Sequence, residues 1–196
     1  MEPALRAGCL DDLPQGDPGN RGSTLFALKY RMAESGEQHA YPRRLHHAVP
    51  TWVDGGAYFH IRIRVAQNNP RPLVYPEVAM TLLTAVQNYH ERGRWQAALF
   101  LVMPDHTHAL LAFPYDRSMS RITGEWKHYL ERTARIKWQG NFFDHRIRNH
   151  SELLEKYFYI LKNPVVKGLC SHESEWPWVW TPPAGEQNPR GARVPP

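Results

Sequence analysis

His106 and His108 sit inside "LFLVMPDHTHALLAF", Leu99 to Phe113, an apolar run interrupted by one polar island. A run of this kind, broken at Pro104-Asp105, reads as two strands joined by a tight turn. Side chains alternate along a strand, so the two histidines share a face at a separation of roughly 7 Å while Thr107 points into whatever packs behind. Two imidazoles so placed can converge on one ion. The same spacing is also what turn-adjacent histidines alternating with a core residue would show. Tyr159 and Asn163, in "EKYFYILKNPVV", extend the chemistry. A divalent cation held by two imidazole nitrogens and one amide oxygen keeps positions free for phosphate oxygens and acts as a Lewis acid on phosphorus. A tyrosine oxygen attacking that phosphorus makes a covalent phosphotyrosine, which stores the phosphodiester energy and allows rejoining without ATP.

The elements that must carry these residues can be read from periodicity. "AYFHIRIRV", Ala57 to Val65, sets Phe59, Ile61, Ile63 and Val65 against Tyr58, His60, Arg62 and Arg64, a half-buried strand with a basic outer face. Pro76 opens a helix in which Val78, Leu82, Val86 and Tyr89 recur, ending near Gly93. After the hairpin, "MSRITGEWKHYLERTARIKW" gives a helix with Ile122, Trp126 and Tyr129 as its apolar stripe and Arg121, Lys127, Arg132, Arg135 and Lys137 around it. "NFFDHRIRNH" reads as a short strand running into a turn. Asn149 with Glu152 three residues on has the form of a capping box, which predicts a helix start there and an end or kink at Asn163, before Pro164. On that helix Leu153, Leu154, Tyr157, Ile160 and Leu161 form the core face, and Glu152, Glu155, Tyr159 and Asn163 a polar one. The order strand, helix, strand, strand, helix, strand, helix predicts an α+β fold of the ferredoxin-like kind, an antiparallel sheet with helices on one face and an extra C-terminal helix carrying the tyrosine.

With 196 residues, 42% of them hydrophobic, the chain can build one full core. Residues 1–42 mix Gly, Pro, Asp and Arg without periodicity and read as a flexible extension; the domain spans 43–182, and 183–196 is a basic, Pro/Gly-rich flexible tail containing Arg190 and Arg193. The formal charge of +5 favours a polyanionic partner. Cys9 and Cys170 are too few for a disulfide framework or a thiolate zinc site, and no stretch approaches the roughly 20 apolar residues of a membrane span. The expectation is a reduced, cytoplasmic protein with no membrane partner.

"MPDHTHALL", "WQGNFFDHRIRN" and "YILKNPVVKGL" followed by "WPW" stand in the order and spacing of the single-tyrosine HUH transposases, and the chain most resembles their REP-associated tyrosine transposase branch. The resemblance covers roughly Arg43 to Trp180. It implies a bacterial DNA transposase that nicks and rejoins single-stranded DNA at hairpin-forming repeats, with Mg²⁺ or Mn²⁺, as a monomer or a homodimer, associated with the nucleoid when bound. Carried over by position, His106, His108 and Asn163 are the metal ligands and Tyr159 the nucleophile that becomes 5′-phosphotyrosine. Arg62, Arg64, Lys127, Arg146 and Arg148 are the candidates for holding DNA, since single strands are bound by basic grooves with aromatic stacking. Trp176 and Trp178 either stack on bases or close the core. Two positions depart from the family: Thr107 stands where a bulky apolar residue is usual, burying a hydroxyl that needs a partner, and Asp105 where Asn is common. The alternatives are a domesticated hairpin-binding protein without strand transfer, and a hydrolytic H-x-H metalloenzyme, for which "DHTHALLAF" offers no further ligands.

Overall fold

A computed structural model describes residues 56–183. The start of the domain at 43, the extension 1–42 and the tail arginines Arg190 and Arg193 lie outside the described residues. Strand β1 (Tyr58–Arg64) leads to helix α1 (Pro76–Glu91), then to β2 (Gln96–Val102) and β3 (His106–Ala112). Helix α2 (Met119–Ala134), strand β4 (Phe143–Arg146) and helix α3 (His150–Val166) follow, and a 3₁₀ turn at Glu173–Glu175 brings the chain back as β5 (Val179–Trp180). The sheet order is β4-β1-β3-β2-β5 with every neighbouring pair antiparallel, the ferredoxin-like arrangement with one added edge strand.

Alternation along the strands sorts two cores. Phe59, Ile61, Ile63, Phe100, Val102, Ala109 and Leu111 meet α1 and α2 through Val78, Leu82, Val86, Ile122, Trp126 and Leu130. Tyr58, Leu99, Leu101, Leu110 and Ala112 meet α3 on the other face through Leu153, Tyr157 and Ile160. The face of β1 read as basic and solvent-facing is therefore covered: Tyr58 and His60 are buried beneath the helix that arrives last in the chain. The pairing of β2 with β3 shifts register between Ala97 and Leu99, so Ala98 is an extra residue that lets both halves of β2 keep their correct faces.

Three local expectations need correction. The buried position on α2 is Leu130, with Tyr129 beside it exposed; the steps Ile122, Trp126 and Leu130 follow the helix by fours. The α3 cap is half a capping box: Asn149 accepts the Glu152 N–H at 2.9 Å, but the Glu152 carboxylate takes the Arg148 N–H at 2.8 Å and not that of Asn149. Most informative is Pro164, which does not end α3. A proline removes one helical N–H and leaves the carbonyl four residues back without its donor. Here that carbonyl belongs to Ile160, and the Asn163 side-chain amide donates to it at 3.2 Å and to Tyr159 O at 2.9 Å. The helix continues to Val166 and stops at Gly168, whose φ of 64° permits the left-handed turn, with Gly168 N–H bonding Val165 O and Leu169 N–H bonding Pro164 O.

Candidate active site

The H-x-H hairpin is formed as expected, with Met103, Pro104 and Asp105 linking β2 to β3 and the Met103 N–H bonding His106 O. Thr107 turns to the α1/α2 core, where its hydroxyl is buried without a hydrogen-bond partner, bearing out the cost expected of a polar group at that position. His106 and His108 face α3, and their Nε2 atoms lie 3.0 Å apart.

A third histidine completes the arrangement. His60 on β1 places Nε2 3.0 Å from Nδ1 of His108, the two rings meeting edge to edge with centroids 5.2 Å apart and planes 25° from parallel. On the far side, Nδ1 of His106 meets Oδ1 of Asp105 at 2.5 Å. His145 on β4 stands opposite His60 in the ladder, so histidines on three adjacent strands form a row across one face of the sheet. The sequence carried the signal, because His60 shares the period-two face of Arg62 and Arg64, but nothing local showed that this face would be roofed.

Across this row lies a stripe of α3 in which Glu152, Lys156, Tyr159 and Asn163 recur at steps of four, three and four. Lys156, not the exposed Glu155, belongs to it. Tyr159 sets its ring edge-on to His60 at 6.4 Å and to His108 at 6.5 Å, and the Lys156 ammonium lies 5.6 Å from the Tyr159 ring centroid. Glu152 accepts from His145 at 2.8 Å. Tyr159 is half-exposed. Asn163 is half-buried one turn further on; with its amide nitrogen bonded to the helix carbonyls, its oxygen is the atom free to act as a ligand. Tyr157 is buried, as its place on the helix predicts.

Burial lowers the pKa of His60 to about 4, with the positive charges of Lys156 and Arg62 adding to the effect, and burial together with His106 and His60 pushes His108 well below the ordinary histidine value. Both rings are therefore neutral at pH 7, the form that presents a lone pair. The Glu152 carboxyl is lowered from 4.5, first by the Arg148 N–H and then by His145. Its stabilisation is full above pH 4.5 and is lost as the pH falls through the depressed folded value. Glu152→Gln should cost about 1 kcal/mol at pH 7 and flatten that acid limb, read as urea midpoints of both proteins from pH 7 to 3.

The basic residues divide between the faces. Arg62, opposite His108 on β1, lies 5.5 Å from the half-exposed Phe143 ring, which also meets His60 edge-on at 5.9 Å. Arg64, opposite His106, reaches Asp105 at 4.0 Å. These two border the site. Arg148 is exposed just before α3. Arg146 stands opposite Phe59 and so on the α1/α2 face, away from the histidines. Lys127 is on that side as well, and its ammonium donates to the carbonyls of Gln139 at 2.5 Å and Gly140 at 3.1 Å, joining α2 to the approach to β4; burial lowers its pKa. Both tryptophans in question are half-buried: the Trp176 indole donates to Val102 O at 3.0 Å, and Trp178 packs against the α1/α2 core. No described helix is long and apolar enough to cross a membrane.

Fold and site together define an α+β domain of ferredoxin-like order in which a tyrosine-bearing helix roofs a strand with an H-x-H pair. The chain is 26% identical over 130 residues, 65% of its length and 77% of the relative's, to a REP-associated tyrosine transposase of Escherichia coli (strain K12). A solved structure of a REP-associated tyrosine transposase bound to a REP hairpin matches with a TM-score of 0.57 and 21% identity, covering 80% of this chain and 99% of that one, and shows the common fold. No protein-family model matches the chain. The resemblance read in the sequence is borne out: the chain is similar in sequence to a REP-associated tyrosine transposase.

Proposed function

We propose that this protein nicks and rejoins single-stranded DNA beside hairpin-forming repeats, through a covalent 5′-phosphotyrosine on Tyr159 and with Mg²⁺ or Mn²⁺ bound at His106, His108 and Asn163. The observation that carries the reading is the placement of the Tyr159 ring over His60 and His108, although 51 residues of sequence separate Tyr159 from His108.

The donor set fits a divalent ion. Two nitrogens 3.0 Å apart have the separation of adjacent corners of an octahedral sphere with bonds of about 2.1 Å. Among the described residues no group of three or more His, Cys, Asp and Glu side chains is arranged to hold a metal; in this reading the third protein ligand is the Asn163 oxygen, the role that the family resemblance implies. When bound, the ion supplies Lewis-acid polarisation of the scissile phosphate. The chain's own residues do the rest. Tyr159 Oη attacks phosphorus, its proton leaves the phenol, and the departing 3′ oxygen takes up a proton to become a free 3′-OH, while the 5′ phosphate remains on the tyrosine. Attack by a 3′-OH on that phosphotyrosine reverses the step. The Lys156 ammonium provides fixed positive charge beside the phenol where negative charge passes during attack. Arg62 and Arg64 border the same face and favour the phosphate backbone, and the half-exposed Phe143 offers an unpaired base a surface for stacking.

The test is incubation of the purified protein with Mn²⁺ and end-labelled single strands carrying a hairpin flanked by varied linkers, resolved on a denaturing gel. The expected product is a protein-linked DNA fragment that disappears with EDTA. Salt-sensitive hairpin binding with no adduct across the panel would sink the enzymatic reading in favour of a DNA-binding module.

A further inference from the structure

The histidine row constrains where its protons can sit. His106 gives its Nδ1 proton to Asp105, leaving a lone pair on Nε2. His108 is held at both nitrogens, Nδ1 by His60 and Nε2 by His106, and its single proton can serve only one of them. With the proton on Nε2, His108 donates to His106 and no ion can use both Nε2 atoms. With the proton on Nδ1, His108 donates to His60, and both Nε2 lone pairs open toward the same side. Because Nδ1 and Nε2 point away from one another across the ring, His60 lies behind His108 and is not a third ligand. Its ring is fixed by its neighbours, edge to edge and near-coplanar with His108 and edge-on to Phe143 and Tyr159.

We propose that His60 and Asp105 are positioning residues that hold the H-x-H pair from behind, Asp105 through Nδ1 of His106 and His60 through Nδ1 of His108, so that both Nε2 atoms face one divalent ion. This rests on the reading of His106 and His108 as metal ligands. The two supports differ in kind: Asp105 is a carboxylate, which strengthens the donor it orients, and His60 is a buried imidazole able to accept a proton bond or donate one. His108 can thus exchange between the closed arrangement, bonded to His106, and the ion-ready one, bonded to His60. Each partner in the row keeps a hydrogen bond in both states.

The experiment is titration of the full chain with Mn²⁺ alone, free ion being followed by its electron paramagnetic resonance signal. His60→Leu fills the space without an acceptor, and Asp105→Ala removes the carboxylate; each should weaken Mn²⁺ binding by about 10–100-fold. His60→Gln and Asp105→Asn, which keep an acceptor within reach, should recover most of that loss, a rescue that packing alone does not predict. Mn²⁺ affinity unchanged in a folded His60→Leu protein overturns the role of His60, and the same result for Asp105→Ala overturns that of Asp105. His108→Ala serves as the reference: if it too binds like the wild type, the ligand assignment itself fails, an outcome distinct from failure of the supports alone. Should His60→Leu not fold, ¹⁵N-histidine NMR of the wild type with Mg²⁺ decides. Movement of the His108 proton to Nδ1 on ion addition, with ¹⁵N coupling across a hydrogen bond to His60 Nε2, is expected; a proton on Nδ1 without that coupling overturns the role of His60, and a proton that stays on Nε2 overturns the ligand assignment.

Discussion

Tyr159→Phe should abolish the protein–DNA adduct of the proposed reaction and lower cleavage by a factor on the order of 10⁴–10⁶, with hairpin affinity expected to stay within a few-fold of the wild type. The substitution removes one oxygen and leaves the ring with its edge-on contacts to His60 and His108. Tyr159 is half-exposed, so loss of the hydroxyl opens no cavity, and the α3 core contacts belong to Leu153, Tyr157 and Ile160. Mn²⁺ affinity should be retained as well, because the phenol is not among the ligands. A denaturing gel for the adduct, a filter-binding curve for the hairpin and a metal titration on one preparation separate these effects. Residual cleavage at more than about a hundredth of the wild-type rate would mean that another nucleophile, water included, serves the site.

Trp126→Ala should cost about 3–5 kcal/mol, a large share of the total stability of about 5–15 kcal/mol typical of a single domain. The Trp126 side chain is fully buried and meets Trp95, Phe100 and Trp138 at centroid distances of 5.8, 5.5 and 5.6 Å. Its indole N–H has no partner, so truncation loses apolar contact and leaves a void, with no hydrogen bond broken. Trp126→Phe keeps an aromatic ring and removes the unsatisfied donor, and should therefore cost less than half as much as the alanine. Urea unfolding at pH 7 measures both. Since Trp126 belongs to the core opposite the histidines, Mn²⁺ affinity well below the melting temperature should be unchanged in either variant.

How far these features are visible in the sequence depends on the range of the interaction that creates them. The H-x-H hairpin is legible because strand alternation is local, and the core face of α3 is legible because Leu153, Tyr157 and Ile160 repeat at helical spacing. His60 is not: its neighbours Arg62 and Arg64 make the face look solvated, and the helix that buries it begins 90 residues later in the chain, at His150. Arg146 and His145 exchange roles for a related reason, since the register of a four-residue edge strand is set by its partner β1 and not by its own pattern. Strand β5 has two residues, too few for any period, and exists because Phe100 and Leu101 offer it a free edge. The resemblance to a known family implied the proposed roles of Tyr159 and Asn163, which spacing alone places one turn apart on the polar face of one helix.

The hydrogen bonds of Asn163 couple it structurally to Pro164. With proline at 164, the carboxamide nitrogen is recruited by the carbonyls of Tyr159 and Ile160, and this anchors the side chain's rotamer. A backbone N–H restored at 164 would compete for the Ile160 carbonyl and release the amide to swing. Substitutions at the two sites are then epistatic: the effect of Asn163→Asp, which forfeits the donor, is severe beside proline and milder beside alanine.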